Sequence, residues 1–306
     1  MTRVAAIDCG TNSIRMLVAE VSDGSLVDVA RRMEIVRLGQ GVDRTGRLAP
    51  EAIERTRVAL AGYVAQAQAL GVDRVRMVAT SATRDAANRE DFRRVVVATL
   101  GAEPEVISGA EEASLSFTGA VRGLEAIGNG PPPYLVADIG GGSTELVLGT
   151  SSVDAAHSMD VGCVRLTERH LRADPPTPGQ VAAAQTDILR ALSVARARVP
   201  VDAARTFVGL AGSVTTVAAI ALDLTRYDAA RIHHSRISAQ QVREVTRRLL
   251  GMTHAERAAL PVMHPGRVDV IGAGALVLEV LVDQVGVAEV VVSEHDLLDG
   301  IAWSIA

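Results

Sequence analysis

Two short strings of this chain hold the residues whose types and spacing could do chemistry. The first is Ala5-Ala6-Ile7-Asp8-Cys9-Gly10-Thr11-Asn12-Ser13-Ile14-Arg15-Met16-Leu17-Val18, and the second is Leu135-Val136-Ala137-Asp138-Ile139-Gly140-Gly141-Gly142-Ser143-Thr144-Glu145-Leu146-Val147-Leu148. In each, an apolar strand ends in Asp, a Gly follows two residues later, a Ser three after that, and an apolar run resumes. The pattern is strand, tight turn, strand. The turns Gly10, Thr11, Asn12, Ser13 and Gly140, Gly141, Gly142, Ser143, Thr144 expose backbone N–H groups and hydroxyls, the donors that phosphate oxygens need. Asp8 and Asp138 stand at the two loop bases, and alternation puts Glu145 on the strand face of Ser143. These three acids are candidate ligands, directly or through water, for a hydrated Mg²⁺, with Mn²⁺ as its substitute.

Chemistry on a phosphate so held needs a group that activates the attacking nucleophile, which for hydrolysis is a base for water, and a cation for the terminal phosphate. Ser108-Gly109-Ala110-Glu111 has capping-box spacing, which gives Glu111 structural work at a helix start and leaves Glu112 to activate water. Glu111 is the alternative base. Arg84, in the turn Thr80-Ser81-Ala82-Thr83-Arg84 after an apolar strand, is the candidate for the terminal phosphate. A third glycine turn, Gly209–Thr216, puts Ser213 and Thr215 where they could meet a distal phosphate or a nucleotide. The cluster Arg165, Arg169, His170, Arg172 reads as a solvated helix face, or as lining for a polyanion. His233 and His234 show no zinc spacing.

These residues must be carried by regular elements. Strands are predicted over 3–9, 14–21 and 26–38, with a turn at Asp23-Gly24. A helix over 48–70, a strand over 75–79, a helix over 88–100, a short strand at 105–107 and a helix from Ser108 to about Leu124 complete the first part. Gly128-Asn129-Gly130-Pro131-Pro132-Pro133 reads as a hinge. After it the plan repeats: strands over 135–149 and 153–160, helices near 163–172 and 178–198, a strand over 205–210, and a helix 214–222 opened by the third glycine turn. Helices near 238–250, 254–259 and 268–285, a strand over 289–293 and a C-terminal helix from Asp296 follow. The expected domains are 1–126 and 127–306, with the last helix packing back on the first.

Composition narrows the classes. The 306 residues are 48% hydrophobic, yet include only three Phe, three Tyr and one Trp, so stacking platforms for bases are scarce. A net charge of −5 argues against a nucleic-acid binder. All 31 cationic residues are Arg, which removes the phosphate loop that needs Lys and also Schiff-base chemistry. Two distant cysteines, Cys9 and Cys163, with no signal peptide and no membrane-spanning apolar run, point to a reduced cytoplasmic protein and no membrane partner.

The paired Asp-x-Gly hairpins and the third glycine turn resemble the actin-like (ribonuclease H-like) ATPase superfamily. Within it the chain is similar to the exopolyphosphatase/guanosine pentaphosphate phosphohydrolases. That likeness runs through Ile7–Arg15, Ala79–Ala86, Ile107–Ala113, Asp138–Glu145, Gly162-Cys163-Val164-Arg165, Gly209–Thr215 and Pro265-Gly266-Arg267. It implies an α/β fold of two actin-like domains with a cleft between them, and Mg²⁺-dependent removal of the terminal phosphate of inorganic polyphosphate. It places the catalytic acid in the Glu111-Glu112 pair, gives Arg267 a structural or substrate-facing role, and implies a homodimer. Guanosine pentaphosphate is the alternative substrate. An actin-like kinase and a non-catalytic sensor of polyphosphate or alarmones are the readings from other classes. The family's longer members carry C-terminal helical domains that this chain lacks, which favours short chains as substrate. Leu298-Asp299-Gly300 stands where many members have Arg-Glu-Gly.

Overall fold

β1 (Thr2–Cys9) is apolar over Val4–Ile7 because both of its faces are covered there. Ala5, Ile7 and Cys9 point into one core with Ile14, Leu60, Tyr63, Phe92 and Val96, while Val4 and Ala6 point into another with Leu298 and Ile301. The computed structural model describes residues 2–22, 25–122, 124 and 128–306. The expected turn at Asp23-Gly24 and the expected domain boundary at 126/127 lie outside the described residues. The chain divides into two units, Met1–Gly119 with Leu297–Ala306, and Ala120–Asp296.

In the first unit, β1 is followed by β2 (Ser13–Ser22), β3 (Ser25–Ile35), α1 (Val42–Thr45), α2 (Pro50–Ala69), β4 (Arg74–Ala79), α3 (Ser81–Asp85), α4 (Arg89–Leu100), β5 (Glu105–Val106) and α5 (Gly109–Val121). The sheet order is β3-β2-β1-β4-β5, antiparallel across β3-β2-β1 and parallel across β1-β4-β5. α2 starts with Pro50 in its first turn, where the missing N–H costs nothing, and packs with α4. The C-terminal helix, Leu297–Ser304, packs on β1 and β2. Its buried Asp299 is held by two guanidinium bonds from Arg31 of β3, at 2.6 and 3.3 Å.

The second unit holds β6 (Tyr134–Ile139), β7 (Thr144–Gly149), β8 (Val153–Met159), α6 (Cys163–Arg169), α7 (Pro178–Arg196), β9 (Thr206–Leu210), α8 (Ala211–Ala221), α9 (Ala229–Ile232), β10 (Arg236–Ser238), α10 (Ala239–Gly251), α11 (His254–Ala258), α12 (Ile271–Val285) and β11 (Glu289–Val292). Its sheet order is β10-β11-β9-β6-β7-β8. From the other edge, β8-β7-β6-β9-β11 repeats the order of the first sheet, and β10 adds one antiparallel edge strand. The α/β expectation holds, with one strand plan used twice.

Three local readings need correction. The segment 36–38, expected to continue β3, leaves the strand, because its amides are drawn to the loop of the first hairpin. The turn at Thr80–Arg84 is a short helix, α3. The third glycine turn does not precede its helix but forms the first turns of α8, which begins directly after β9 with Ala211 at φ 69.

Candidate active site

The first hairpin turn is closed by Gly10 N–H donating to Ser13 O at 2.9 Å. Its carbonyls are held from behind. Thr11 O accepts from Gly39 N at 2.8 Å, and Asn12 O accepts from Val36 N and Arg37 N at 3.1 and 2.8 Å. Thr11 Oγ1 meets Ser81 Oγ at 3.0 Å, which joins the loop to α3. α3 carries Arg84, whose Nη1 donates both to Ile107 O at 3.0 Å and to Glu112 Oε2 at 3.1 Å. Loop, arginine and acid are thus linked through neighbouring elements of one unit.

The two acids of the Glu-Glu pair part company. Glu111 N–H donates to Ser108 Oγ at 3.2 Å, and its side chain, 45% exposed, pairs with Arg76 at 2.7 Å. Ser108 therefore caps α5 as the spacing implied, but Glu111 Oε1 bonds a strand arginine instead of closing the box. Glu112 is 6% exposed and lies against Arg84. One residue of rotation on a helix, about 100°, is enough to send one carboxylate to the surface and the next inward.

The hairpins differ in charge at matching positions. Asp8 lies opposite Arg15, and Asp138 lies opposite Glu145. Paired antiparallel residues share a face, and Arg15 reaches Asp8 Oδ2 through Nε and Nη2 at 3.0 and 2.7 Å. The first hairpin is internally compensated. The second presents two buried carboxylates side by side, with Glu145 Oε1 accepting from Ser158 Oγ of β8 at 2.7 Å. Two hard oxygen donors at one register position suit Mg²⁺, which takes one or two carboxylates and keeps waters for its other positions. Among the described residues no group of three or more His, Cys, Asp or Glu forms a metal cage.

The second turn is closed by Gly140 N–H to Ser143 O at 3.0 Å and is seated on α6. Ser143 is buried within it. The Thr144 hydroxyl donates to Val161 O at 2.6 Å in the interior. At the third glycine turn, Arg267 lies over the α8 backbone and donates from Nη1 to Gly212 O and Thr216 Oγ1, both at 3.2 Å. A Cβ on Gly212 would sit 2.5 Å from Arg267 Cζ, so the guanidinium would have to shift off the turn to admit it. Ser213 is buried in the same turn, within reach of the Cys163 thiol. Arg267 braces the turn that carries Ser213.

Sequence reasoning missed Tyr227. Its hydroxyl sits between Thr215 Oγ1 at 2.8 Å and Glu294 Oε1 at 2.5 Å, and burial, with Glu294 beside it, pushes the phenol well above its ordinary pKa. The histidines, which show no zinc spacing, come together: the rings of His233 and His234 lie 3.5 Å apart, and His295 lies 4.3 Å from His233. No spacing in the chain signals either group, because the partners come from separate loops. Burial also raises both thiols, Cys9 further through Asp8, and Cys163 despite its Ser213 bond and nearby Arg267.

The description "Ppx/GppA phosphatase family" matches residues 17–306. Exopolyphosphatase 2 of Mycobacterium tuberculosis is 54% identical over 319 aligned residues, covering 100% of this chain and 99% of that protein. An exopolyphosphatase-like protein of known crystal structure superposes with a TM-score of 0.96 at 43% identity, covering 99% of this chain and 98% of its own. The Aquifex aeolicus PPX-GPPA enzyme superposes with a TM-score of 0.82 at 32% identity, covering 99% of both chains.

Proposed function

The chain belongs to the Ppx/GppA phosphatase family, and from that premise we propose that it is an exopolyphosphatase, hydrolysing the terminal phosphoanhydride of inorganic polyphosphate to release orthophosphate. The observation that carries the catalytic assignment is the buried Glu112 carboxylate held 3.1 Å from Arg84, beside a loop of phosphate-binding character. The full-length relative that shares over half its residues is named for this activity on polyphosphate.

In this mechanism the amides and hydroxyls of Gly10–Ser13 and Gly140–Ser143 hold phosphoryl oxygens. Arg84 orients Glu112 through Nη1 and offers positive charge to the terminal phosphate. Glu112 takes a proton from water as the new O–P bond forms, and the bridging O–P bond breaks to release the shortened chain. Asp138 and Glu145 would hold Mg²⁺, which supplies charge neutralisation on the phosphoryl oxygens. Asp8 has one oxygen engaged by Arg15, so any share it takes runs through its other oxygen or a water. Ser213 lies in the turn that would serve a distal phosphate, with Arg267 as its brace.

The test is phosphate release with Mg²⁺ from short polyphosphate, long polyphosphate, guanosine pentaphosphate and ATP. Release from polyphosphate is expected. No release from any of the four refutes the enzymatic reading. Glu112→Gln is expected to lower kcat by at least about 100-fold with unchanged melting, the scale of a lost general base. A dead Glu111→Gln beside an active Glu112→Gln reverses the assignment. No helix among the described residues is long and apolar enough to cross a membrane. A cytoplasmic homodimer is the proposed state, checked by sedimentation of the full chain.

A further inference from the structure

A phosphate loop works only while its N–H groups face the anion, and a loose peptide plane can turn over unless its carbonyl is held. The two loops achieve this differently. Register aligns Thr11 with Gly141 and Asn12 with Gly142. In the first loop both carbonyls accept backbone N–H groups, from Val36, Arg37 and Gly39. In the second, the start of α6 holds the first two: Cys163 N donates to Gly140 O at 2.9 Å, and Val164 N and Arg165 N donate to Gly141 O at 2.9 and 3.2 Å. The third carbonyl, Gly142 O, accepts from a side chain, Arg165 Nε, at 2.7 Å.

In a planar trans peptide the C=O of one residue and the N–H of the next point to opposite sides. Holding Gly140, Gly141 and Gly142 carbonyls toward α6 therefore turns the N–H groups of Gly141, Gly142 and Ser143 to the opposite face. Glycines offer little resistance to a plane flip, having no Cβ to restrict them. We infer that Arg165 is a positioning residue, whose guanidinium fixes the Gly142–Ser143 peptide so that the Ser143 N–H joins those of Gly141 and Gly142 in one set of phosphate donors. This rests on the phosphohydrolase reading of the loop. The rest of the basic cluster has other duties: Arg169 and His170 both bind Asp187 at 3.0 Å, and Arg172 bonds Glu168 O.

The test compares steady-state phosphate release from short polyphosphate by the full chain, by Arg165→Ala, by Arg165→Lys and by the control Arg169→Ala. Arg165→Ala is expected to raise KM about 10- to 100-fold, the effect of misplacing a binding group by about 1 Å, with a smaller change in kcat. Arg165→Lys keeps the apolar stem and is expected to show the same split at smaller size. Arg169→Ala is expected to keep the KM of the parent. A merely structural role would lower the active fraction, so kcat would fall with KM unchanged, and that result overturns the inference. So does a KM within about twofold of the parent. If the parent itself releases no phosphate, the hydrolase reading fails. Amide exchange then judges Arg165 separately: faster exchange over 140–143 in Arg165→Ala upholds the positioning role, and unchanged exchange overturns it.

Discussion

Replacing Gly162 by Ala tests how closely the second phosphate loop is seated. Gly162 has φ −149 and ψ 166, extended backbone that any residue adopts, so the substitution carries no torsional strain. Its whole effect is steric. The added Cβ would lie 2.5 Å from Gly141 O, 2.6 Å from Gly141 C and 2.7 Å from Gly142 C. Ordinary carbon contacts need about 3.5 Å, so loop and helix must separate by most of an ångström. The neighbours are backbone atoms and cannot turn aside as a side chain would. That separation stretches the bonds from Cys163 N and Val164 N, both 2.9 Å, that hold the loop. Overpacking of this kind costs about 1–3 kcal/mol, which lowers Tm by roughly 3–10 °C for a unit of this size. A loop displaced by about 1 Å should lose about 100-fold in kcat/KM. The assays are phosphate release from short polyphosphate and a thermal melt. Gly179→Ala in the first turn of α7, where nothing lies within 4 Å of the added carbon, is the control. If Gly162→Ala matches the control in both kcat/KM and Tm, the loop is not packed as described and the reasoning fails.

Two further outcomes are expected. Arg31→Ala removes the two guanidinium bonds to Asp299, whose side chain is 3% exposed, and should cost about 2–3 kcal/mol by urea denaturation, less than a fully buried pair because Arg31 is 33% exposed. A loss under about 0.5 kcal/mol would show that the C-terminal helix is held without this pair. Burial raises the Cys9 and Cys163 thiols above their ordinary value of about 9, so the folded chain keeps protons that the unfolded chain releases. Their contribution to stability is therefore complete below pH 9 and declines as pH rises above it. Native protein should not react with a thiol reagent at pH 8, and a Cys9→Ala/Cys163→Ala variant should show a flatter alkaline decline. The decline will not vanish, since burial raises Tyr63 as well. Rapid thiol labelling of native protein would contradict the burial argument.

Much of the candidate site was legible because it is written locally. A strand that ends in Asp and a turn rich in Gly and Ser follow from neighbours in sequence, and both hairpins formed with the expected strands. The Ser108 cap was legible for the same reason, since a helix start needs only residues a few positions apart. What failed were decisions in which a distant group competes. Val36–Leu38 reads as strand by its apolar alternation, yet its amides leave the sheet for Asn12 O. Gly212 and Ser213 read as a turn, yet α8 begins at Ala211, and Arg267, far along the chain, donates to Gly212 O in its first turn.

By itself the sequence determined that this chain has a duplicated α/β plan with two phosphate-type hairpins and an acidic pair at a helix start. Those features depend on residue periodicity and on interactions within a few positions. Only the tertiary structure decided which carboxylate of the pair turns inward, that Asp8 is matched by Arg15 while Asp138 faces Glu145, and that Arg165 reaches Gly142 O. Each of these depends on which side chains of separate elements come within hydrogen-bond distance, and a hydrogen bond loses most of its strength within an ångström. Spacing along the chain carries no such information until the strands pair and the helices dock.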